Sequence, residues 1–256
     1  ISNGLRQEKK IKETKVYQRR KRRSCFGELQ QIDGSPHDWF EDRGPYCTLL
    51  LAVDDATGKI TSARFEEEET TVGYYRLMKS YIEKHGKPIC LYSDKYGVFR
   101  VNYGKDRSRL TQFSRALKEL DIQIITAHSP QAKGRVERKN GVLQDRLVKE
   151  LREQGISTIN EANIFLPTYI EKLNKRFGKM PASTFNAHCS LDHNQDLNQI
   201  FCKKEARKIS KNLEVHYKNE VYQIQATHRK NRLAGAGVLV VEKMDGEILL
   251  EYKGEF

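Results

Sequence analysis

The sequence predicts an α/β protein with a mixed five-stranded sheet and flanking helices, followed by a small all-β barrel. From residue 28 to about residue 177 the patterns run in the order three strands, helix, strand, helix, strand and two helices. Residues 206–256 instead contain short strand patterns that end in a hairpin turning at Asp245-Gly246. A chain of 256 residues has room for both units.

Four segments follow from these patterns. We expect a basic arm or linker over 1–27, an α/β unit over 28–178, a linker over 179–205 and the barrel over 206–256. Residues 1–27 hold ten Lys or Arg against two Glu, a local +8 out of the net charge of +12. Such an arm can neutralise phosphates, although a solvated, disordered tail explains the same composition. The first residue is Ile1, which indicates a fragment or a processed product.

Two classes of protein are excluded. The sequence has neither a run of about twenty apolar residues nor an apolar N-terminal segment, so we expect a cytoplasmic protein without a membrane span. The five cysteines are odd in number and form no C-x-x-C pair, which argues against a disulfide framework.

Two predicted strands end beside acidic residues. The first runs from Glu28 to Asp33 and is followed by the breakers Gly34-Ser35-Pro36. The fourth is the apolar run Ile89–Tyr92, which leads to Asp94. If these strands pair side by side, the two carboxylates meet at one edge of the sheet.

The second and third strands are predicted to form an antiparallel hairpin over residues 46–65. Asp54 and Asp55 are adjacent acids between them, but a turn ending at Gly58 explains this pair better than catalysis does. The segment before the hairpin, 37–45, is predicted to be a loop or hairpin extension.

Of the four predicted helices, the third carries a further acid. This helix follows a polar loop over 127–133 and places Glu137 in its first turns. One stripe of the helix is apolar, and Glu137 lies about 100° around from Val136, at the border of that stripe. The fourth helix begins with the capping box Thr158-x-x-Glu161 and contains Pro167, where we expect a kink.

Asp33, Asp94 and Glu137 are therefore our candidate metal ligands. Taken singly, each is explained by an ordinary turn or surface position, but together they would repel one another without a counter-ion. Carboxylate oxygens suit Mg²⁺ or Mn²⁺. Two such ions about 4 Å apart activate an attacking oxygen and stabilise a leaving one in phosphoryl transfer.

The residues around these acids resemble the three acidic motifs of the DDE transposase and integrase superfamily, above all bacterial insertion-sequence transposases with a retroviral-integrase-type core. The third motif is specific, and it lies 43 residues after Asp94, a longer spacing than in retroviral integrases. The likeness spans roughly residues 18–180. The motifs are Ile32-Asp33-Gly34-Ser35, Tyr92-Ser93-Asp94-Lys95-Tyr96-Gly97 and Ser129-Pro130-Gln131-Ala132-Lys133-Gly134-Arg135-Val136-Glu137-Arg138.

This resemblance implies a ribonuclease H-like fold and a DNA transposase, a polynucleotidyl transferase that uses two Mg²⁺ or Mn²⁺ ions. It implies cleavage of double-stranded DNA at element ends, transfer of the freed 3′-hydroxyl into target DNA, and at least a homodimer on that DNA, associated with the bacterial nucleoid. Family members usually also carry an N-terminal helix-turn-helix region. That pattern and the retroviral His and Cys zinc module are absent from this sequence, which indicates that end recognition has been lost or cut away.

Basic and amide side chains near Glu137, and the arginines of the arm, are predicted to contact the DNA backbone, although a solvated helix face explains the former as well. His128 could approach a phosphate or make a structural hydrogen bond. The predicted contacts are Arg20, Arg22, Arg23, Lys133, Arg135, Arg138, Lys139, Asn140 and Gln144.

Two alternative functions stay open on sequence alone: a nuclease of the same fold without strand transfer, and a catalytically silent DNA-binding protein derived from a transposase. The intact set of three acids argues against the silent protein, since relaxed selection would not spare all three. His188, Cys189, His193 and Cys202 imitate a zinc site, but their spacing fits no standard pattern.

Overall fold

The structure, a computed structural model, describes residues 20–93, 98, 110–126, 134–225 and 233–255. Asp94, His128 and Lys133 lie outside the described residues, as do residues 1–19 of the basic arm.

A mixed five-stranded sheet forms the centre of the molecule, with the strand order β3-β2-β1-β4-β5. β1 pairs antiparallel with β2, and β2 with β3, whereas β4 is parallel to both β1 and β5. The predicted mixed five-stranded sheet is confirmed. The strands are β1 (Leu29–His37), β2 (Cys47–Asp54), β3 (Ile60–Glu66), β4 (Cys90–Ser93) and β5 (Gln123–Thr126).

Helices cover both faces of this sheet. All eight residues of β2 are buried because its alternating side chains enter two different cores. Leu50 and Ala52 pack with α1 and α2, while Leu49, Leu51 and Val53 pack with α3 and α4. The helices are α1 (Thr71–His85), α2 (Gln112–Glu119), α3 (Gly134–Glu153) and α4 (Ile159–Phe177).

Local sequence signals set the ends of these helices. Thr70 caps α1 by accepting a hydrogen bond from the backbone N–H of Gly73. The predicted capping box at the start of α4 is present, with Thr158 and Glu161 each accepting from the other's backbone. α4 is one continuous helix through Pro167.

The first strand is longer than the sequence predicts. Asp33 does not end β1 but pairs with Leu51 in its middle, and the expected breakers Gly34-Ser35-Pro36 continue the ladder with β2. In the described ladders β4 pairs only with Leu29 to Gln31, so Pro36 has a strand on one side alone, a position where proline is tolerated. The buried strand β2 thus extends β1 past residues that normally end a strand.

The segment after β1 is an irregular loop whose two aromatic residues belong to the core. Trp39 and Phe40 are fully buried beside Phe65, and the indole Nε1 of Trp39 donates to the backbone carbonyl of Ser35 over 3.1 Å. A short 3₁₀ helix, Glu41–Arg43, follows them.

The segment expected to be a linker, 179–205, packs against the sheet domain. The backbone N–H groups of Lys179, Ser183 and Ala187 donate to carbonyls of residues 57, 24 and 26. Phe201, just after the short helix α5 (Leu197–Ile200), is fully buried with α1 and α2. The next strand begins at Lys203, three residues before the predicted start of the barrel.

The C-terminal residues form two small sheets over one shared core. β6, β9 and β10 make a three-stranded sheet, and β7 and β8 make a two-stranded one. β9 and β10 form the hairpin predicted at Asp245-Gly246, and Gly246 has φ +90°, which favours glycine. The strands are β6 (Lys203–Lys208), β7 (Glu214–Tyr217), β8 (Glu220–Gln223), β9 (Gly237–Glu242) and β10 (Ile248–Glu251).

All five cysteines are free thiols, and burial raises the pKa of Cys47 to about 12. Among the helices that the structure describes, none is long and apolar enough to cross a membrane.

Candidate active site

Helix α3 lies along β1 and is joined to it by three hydrogen bonds at regular intervals. The backbone N–H of Val136 donates to Oε1 of Gln31 over 3.2 Å. Nδ2 of Asn140 donates to Oδ2 of Asp33 over 2.9 Å. Nε2 of Gln144 donates to Oγ of Ser35 over 3.0 Å.

The spacing of these contacts explains why the helix and strand stay in step. The helix residues are four apart and the strand residues two apart, so each set lies on one face of its element. Four helical residues rise about 6 Å, and two strand residues rise about 6.6–6.8 Å. Helix and strand therefore run in the same direction with nearly matched repeats.

Glu137 lies in the first turn of α3 and is exposed, three residues before Asn140. Side chains three apart on a helix are neighbours, with Cβ atoms about 5–6 Å apart. Glu137 is thus one helical turn from the residue that contacts Asp33. The buried face beside it is the predicted one, since Val136, Leu143 and Leu147 are fully buried.

Asn140 also presents an oxygen to this region. Its Nδ2 must point at the Asp33 carboxylate, which fixes the orientation of the amide. Its Oδ1 is buried and accepts no hydrogen bond from the residues that the structure describes. A buried amide oxygen without a donor is costly, and it fits a cation or a water molecule.

The parallel pairing of β1 with β4 gives a common reference for the sequence positions of Asp33 and Asp94. Gln31 lies opposite Tyr92, and β4 ends at Ser93. Asp33 and Asp94 each come two residues after a member of that pair.

The oxygens near α3 suit a hard divalent cation. Asp33 and Glu137 supply carboxylates, and Asn140 supplies the buried amide oxygen. Within the described part of the chain no three His, Cys, Asp or Glu residues form a metal-binding group, and Asp94 lies outside that part.

Asp55 is a buried hub that the sequence analysis missed. Its fully buried carboxylate accepts from the guanidinium groups of Arg20 and Arg135, the latter over 2.7 Å. It also accepts from Nε2 of Gln31 and from the backbone N–H of Arg23, each over 2.8 Å. Because Gln31 lies on β1 and Arg135 belongs to the first turn of α3, Asp55 joins the arm, the first strand and this helix.

Asp54 has a separate task within the predicted turn. It is fully buried and accepts from the backbone N–H and the hydroxyl of Thr57, over 2.8 and 2.7 Å. It also accepts from the backbone N–H of Gly27 and from Nε2 of Gln30. Four hydrogen-bond donors therefore hold the Asp54 carboxylate, in agreement with the predicted turn. The bond from Gly27 also connects this turn to the basic arm.

Several residues predicted to contact DNA have partners inside the chain. Arg20 and Arg135 bind Asp55, and Arg22 donates to the backbone carbonyls of Asp55 and Ala56. Arg23 forms a salt bridge with Glu28 over 3.3 Å. These contacts fasten residues 20–23 to the core.

The predicted contacts on α3 divide between two flanks of the helix. Asn140 and Gln144 face β1. Arg138 and Lys139 instead line a cavity on the other flank, together with Arg135 and Arg22.

The residues that imitate a zinc site do not form one. His188 stacks on His85, and its Nε2 shares a hydrogen bond with the hydroxyl of Tyr81. Cys202 is buried beside Arg115. The described residues contain no metal-binding group of three or more such side chains.

Two curated proteins are similar to the chain over most of its length. "Putative transposase y4bF" of Sinorhizobium fredii is 42% identical over 241 residues, which cover 93% of this chain and 53% of that protein. "Transposase for insertion sequence IS1202" of Streptococcus pneumoniae is 36% identical over 252 residues, 92% of this chain and 51% of that protein. The chain thus spans about half the length of these relatives. No family model matches the sequence.

Solved structures of retroviral integrases are also similar. The catalytic core domain of BIV integrase is 22% identical, with 60% of this chain and 88% of that chain covered and a TM-score of 0.42. The HTLV-2 integrase core in complex with magnesium is 21% identical, with 60% and 90% covered and a TM-score of 0.43.

The sequence relatives define the class: over more than nine tenths of its length the chain is similar to transposases. One of these relatives is the transposase of an insertion sequence, and the other is named as a putative transposase. The predicted resemblance to the transposase and integrase superfamily is confirmed by these relatives.

Proposed function

We propose that the chain is the catalytic part of a DDE transposase that cuts DNA at the ends of a mobile element and joins the freed 3′-hydroxyl to target DNA. The observation that carries this proposal is the contact between Asn140 and Asp33, with Glu137 one turn away on the same helix. The names of the sequence relatives support the reaction class.

In this proposal Asp33, Asp94 and Glu137 hold two Mg²⁺ or Mn²⁺ ions. Asp94 is the next residue in the sequence after β4, which ends at Ser93. When bound, two such ions activate the attacking oxygen and stabilise the leaving oxygen of an in-line displacement.

The remaining residues position these ligands. Asn140 orients the Asp33 carboxylate through its Nδ2, and its own Oδ1 is a further oxygen ligand for a cation. The bonds from Val136 and Gln144 to β1 keep the start of α3 in register with the strand, so the Glu137 backbone is held on both sides.

Other parts of the chain bind DNA in this proposal. Positive side chains on α3 and the arm contact phosphates, and the two small C-terminal sheets close into a barrel that also binds DNA. Joining two element ends requires at least two copies of the full protein.

The test is an assay with a labelled element-end duplex and Mg²⁺, comparing the wild-type chain with Asp94→Asn. Strand-transfer products that disappear in Asp94→Asn support the proposal. Nicks without joining overturn the strand-transfer part and leave a nuclease. DNA binding with no product that depends on a divalent ion overturns the catalytic assignment.

A further inference from the structure

A basic stripe runs along the flank of α3 that faces away from Asp33 and Glu137. Arg135, Lys139, Val142 and Arg146 recur at helical spacing, and Glu137 lies about 200° around the helix from Arg135. Residues on this stripe and residues beside Glu137 therefore cannot contact the same phosphate.

The stripe borders a cavity of about 210 Å³. The turn between β2 and β3 forms another wall through Thr57 and Gly58, and the end of α4 contributes Phe177. Val53 and Val142 add apolar surface. We call this cavity, with its charged rim, the far-flank pocket.

Cations gather at the far-flank pocket without matching acids. Of Arg22, Arg135, Arg138, Lys139, Arg146 and Arg176, only Arg135 has a carboxylate partner among the described residues, namely Asp55. Like charges placed together are unfavourable unless an anion neutralises them. Burial and the nearby Arg22 lower the pKa of Lys139, a sign of the same crowding.

Three of these cations lie over the aromatic ring of Phe177. Nζ of Lys139 lies 5.9 Å from the ring centroid, and the guanidinium carbons of Arg146 and Arg176 lie at 5.4 and 5.2 Å. Cation–π attraction at exposed sites is modest, about 0.5–1 kcal/mol each, and supplies no negative charge. The ring therefore orients the cations but does not neutralise their charge, which favours binding of an anion.

We propose that the far-flank pocket binds a phosphodiester group of the DNA backbone, on a DNA segment distinct from the one at Asp33 and Glu137. This inference rests on the proposed function and adds a second phosphate site to it. Each cation in contact with phosphate releases a counter-ion, so the pocket contributes to the salt dependence of binding rather than to base recognition.

The experiment measures binding of the full chain to a short labelled duplex by fluorescence anisotropy, over about 50–200 mM salt. The pocket variants are Lys139→Ala and Arg146→Ala; Arg146 is exposed, so its removal should not disturb folding. Lys175→Ala is the matched control, since it removes one positive charge next to Arg176 but from a residue paired with Glu171.

Each pocket variant should lower the slope of log K against log salt by about 0.9 and the affinity by about five- to tenfold at 0.1 M salt. Lys175→Ala should keep the wild-type slope. Equal slopes for the wild type and both pocket variants would overturn the proposal that the far-flank pocket binds phosphate. An equal loss of slope and affinity in Lys175→Ala would overturn it as well.

The same preparations are assayed for Mg²⁺-dependent cleavage, which separates this inference from the proposed function. Cleavage with unchanged slopes in the pocket variants overturns the pocket alone. The predicted slopes without any cleavage by the wild type overturn the proposed function alone.

Discussion

Asn140 donates a hydrogen bond across 2.9 Å to Asp33, and this contact sets the position of helix α3 on the sheet at the acidic site. Asp33 lies in the middle of β1, so its backbone is held by the ladder with β2. The carboxylate is therefore fixed by the strand on one side and by a helix side chain on the other. Such double support is what a metal-binding carboxylate needs in order to keep its geometry.

Asn140→Ala is expected to reduce Mg²⁺-dependent DNA cleavage by about 10- to 100-fold, because in the proposed function Asn140 orients Asp33 as a metal ligand. Affinity for DNA should stay near that of the wild type. A titration of activity with Mg²⁺ should show a higher concentration for half-maximal cleavage.

Gln144→Ala is the matched control, since it removes the next bond between α3 and β1 without touching an acid. It should affect cleavage much less than Asn140→Ala. Equal losses in the two variants would mean that Asn140 acts only by holding the helix to the strand.

Asp55→Asn is expected to destabilise the protein by about 2–4 kcal/mol, because Arg135 loses the charge of its buried partner. The side chain of Arg20 is 34% exposed and recovers part of its interaction from water, which keeps the loss below the full cost of a broken buried pair. Urea unfolding followed by circular dichroism measures the difference.

An exposed carboxylate on helix α3 provides the comparison for Asp55. Asp145 pairs with Lys149 one turn away, and both side chains are more than half exposed. Asp145→Asn should leave the unfolding midpoint unchanged. If Asp55→Asn had the same unfolding midpoint as the wild type, the stabilising role of Asp55 between the arm and α3 would be contradicted.

Stability should fall as pH drops from about 6.5 to about 4. Burial lowers the pKa of His188 to about 4, so the folded state keeps this ring neutral over most of this range, and burial also lowers the pKa of His85. The unfolded chain takes up protons below a pKa of about 6.5, which favours unfolding. This contribution is therefore complete above pH 6.5 and is lost on acidification.

Melting temperatures near pH 7 and pH 5 test this dependence. His188→Gln can keep a hydrogen bond to Tyr81 but cannot titrate, so its melting temperature should change less between the two pH values. The control, His193→Gln, changes an exposed histidine and should behave as the wild type does. Identical pH dependence in all three proteins would exclude His188 as a source.

Periodicity predicts most of the fold, and its failures come from tertiary contacts. The buried run of β2, the alternation in β3 and the apolar stripe of α3 are visible in the sequence because they repeat locally. The length of β1 is not visible in the sequence. Gly34-Ser35-Pro36 would end an isolated strand, but here they remain part of β1 because β2 pairs with them. The burial of Trp39 and Phe40 is not visible either, because their neighbours in the sequence are charged and indicate a loop.

The candidate site was predictable in part. The motifs point to Asp33 and Glu137, but nothing local shows that Asn140 turns toward Asp33 rather than toward solvent. Asp55 was assigned to a turn, although a second acid directly after an apolar run, in a chain with arginines at 20, 22 and 23, was an available signal. Pairings over 80 or more residues, such as Arg135 with Asp55, cannot be read from spacing.

The most direct measurement of the central claim is a change of metal preference at Asp33. In Asp33→Cys a thiolate replaces the carboxylate, and thiolates bind Mg²⁺ poorly but accept softer ions such as Mn²⁺ better. The full chain carrying Asp33→Cys is assayed for DNA cleavage in Mg²⁺ and in Mn²⁺, with Asp33→Ser as the control that offers no thiolate.

If Asp33 holds a metal ion, the ratio of the Mn²⁺ rate to the Mg²⁺ rate rises well above the wild-type ratio in Asp33→Cys and not in Asp33→Ser. A ratio for Asp33→Cys equal to that of the wild type would contradict the assignment of Asp33 as a metal ligand.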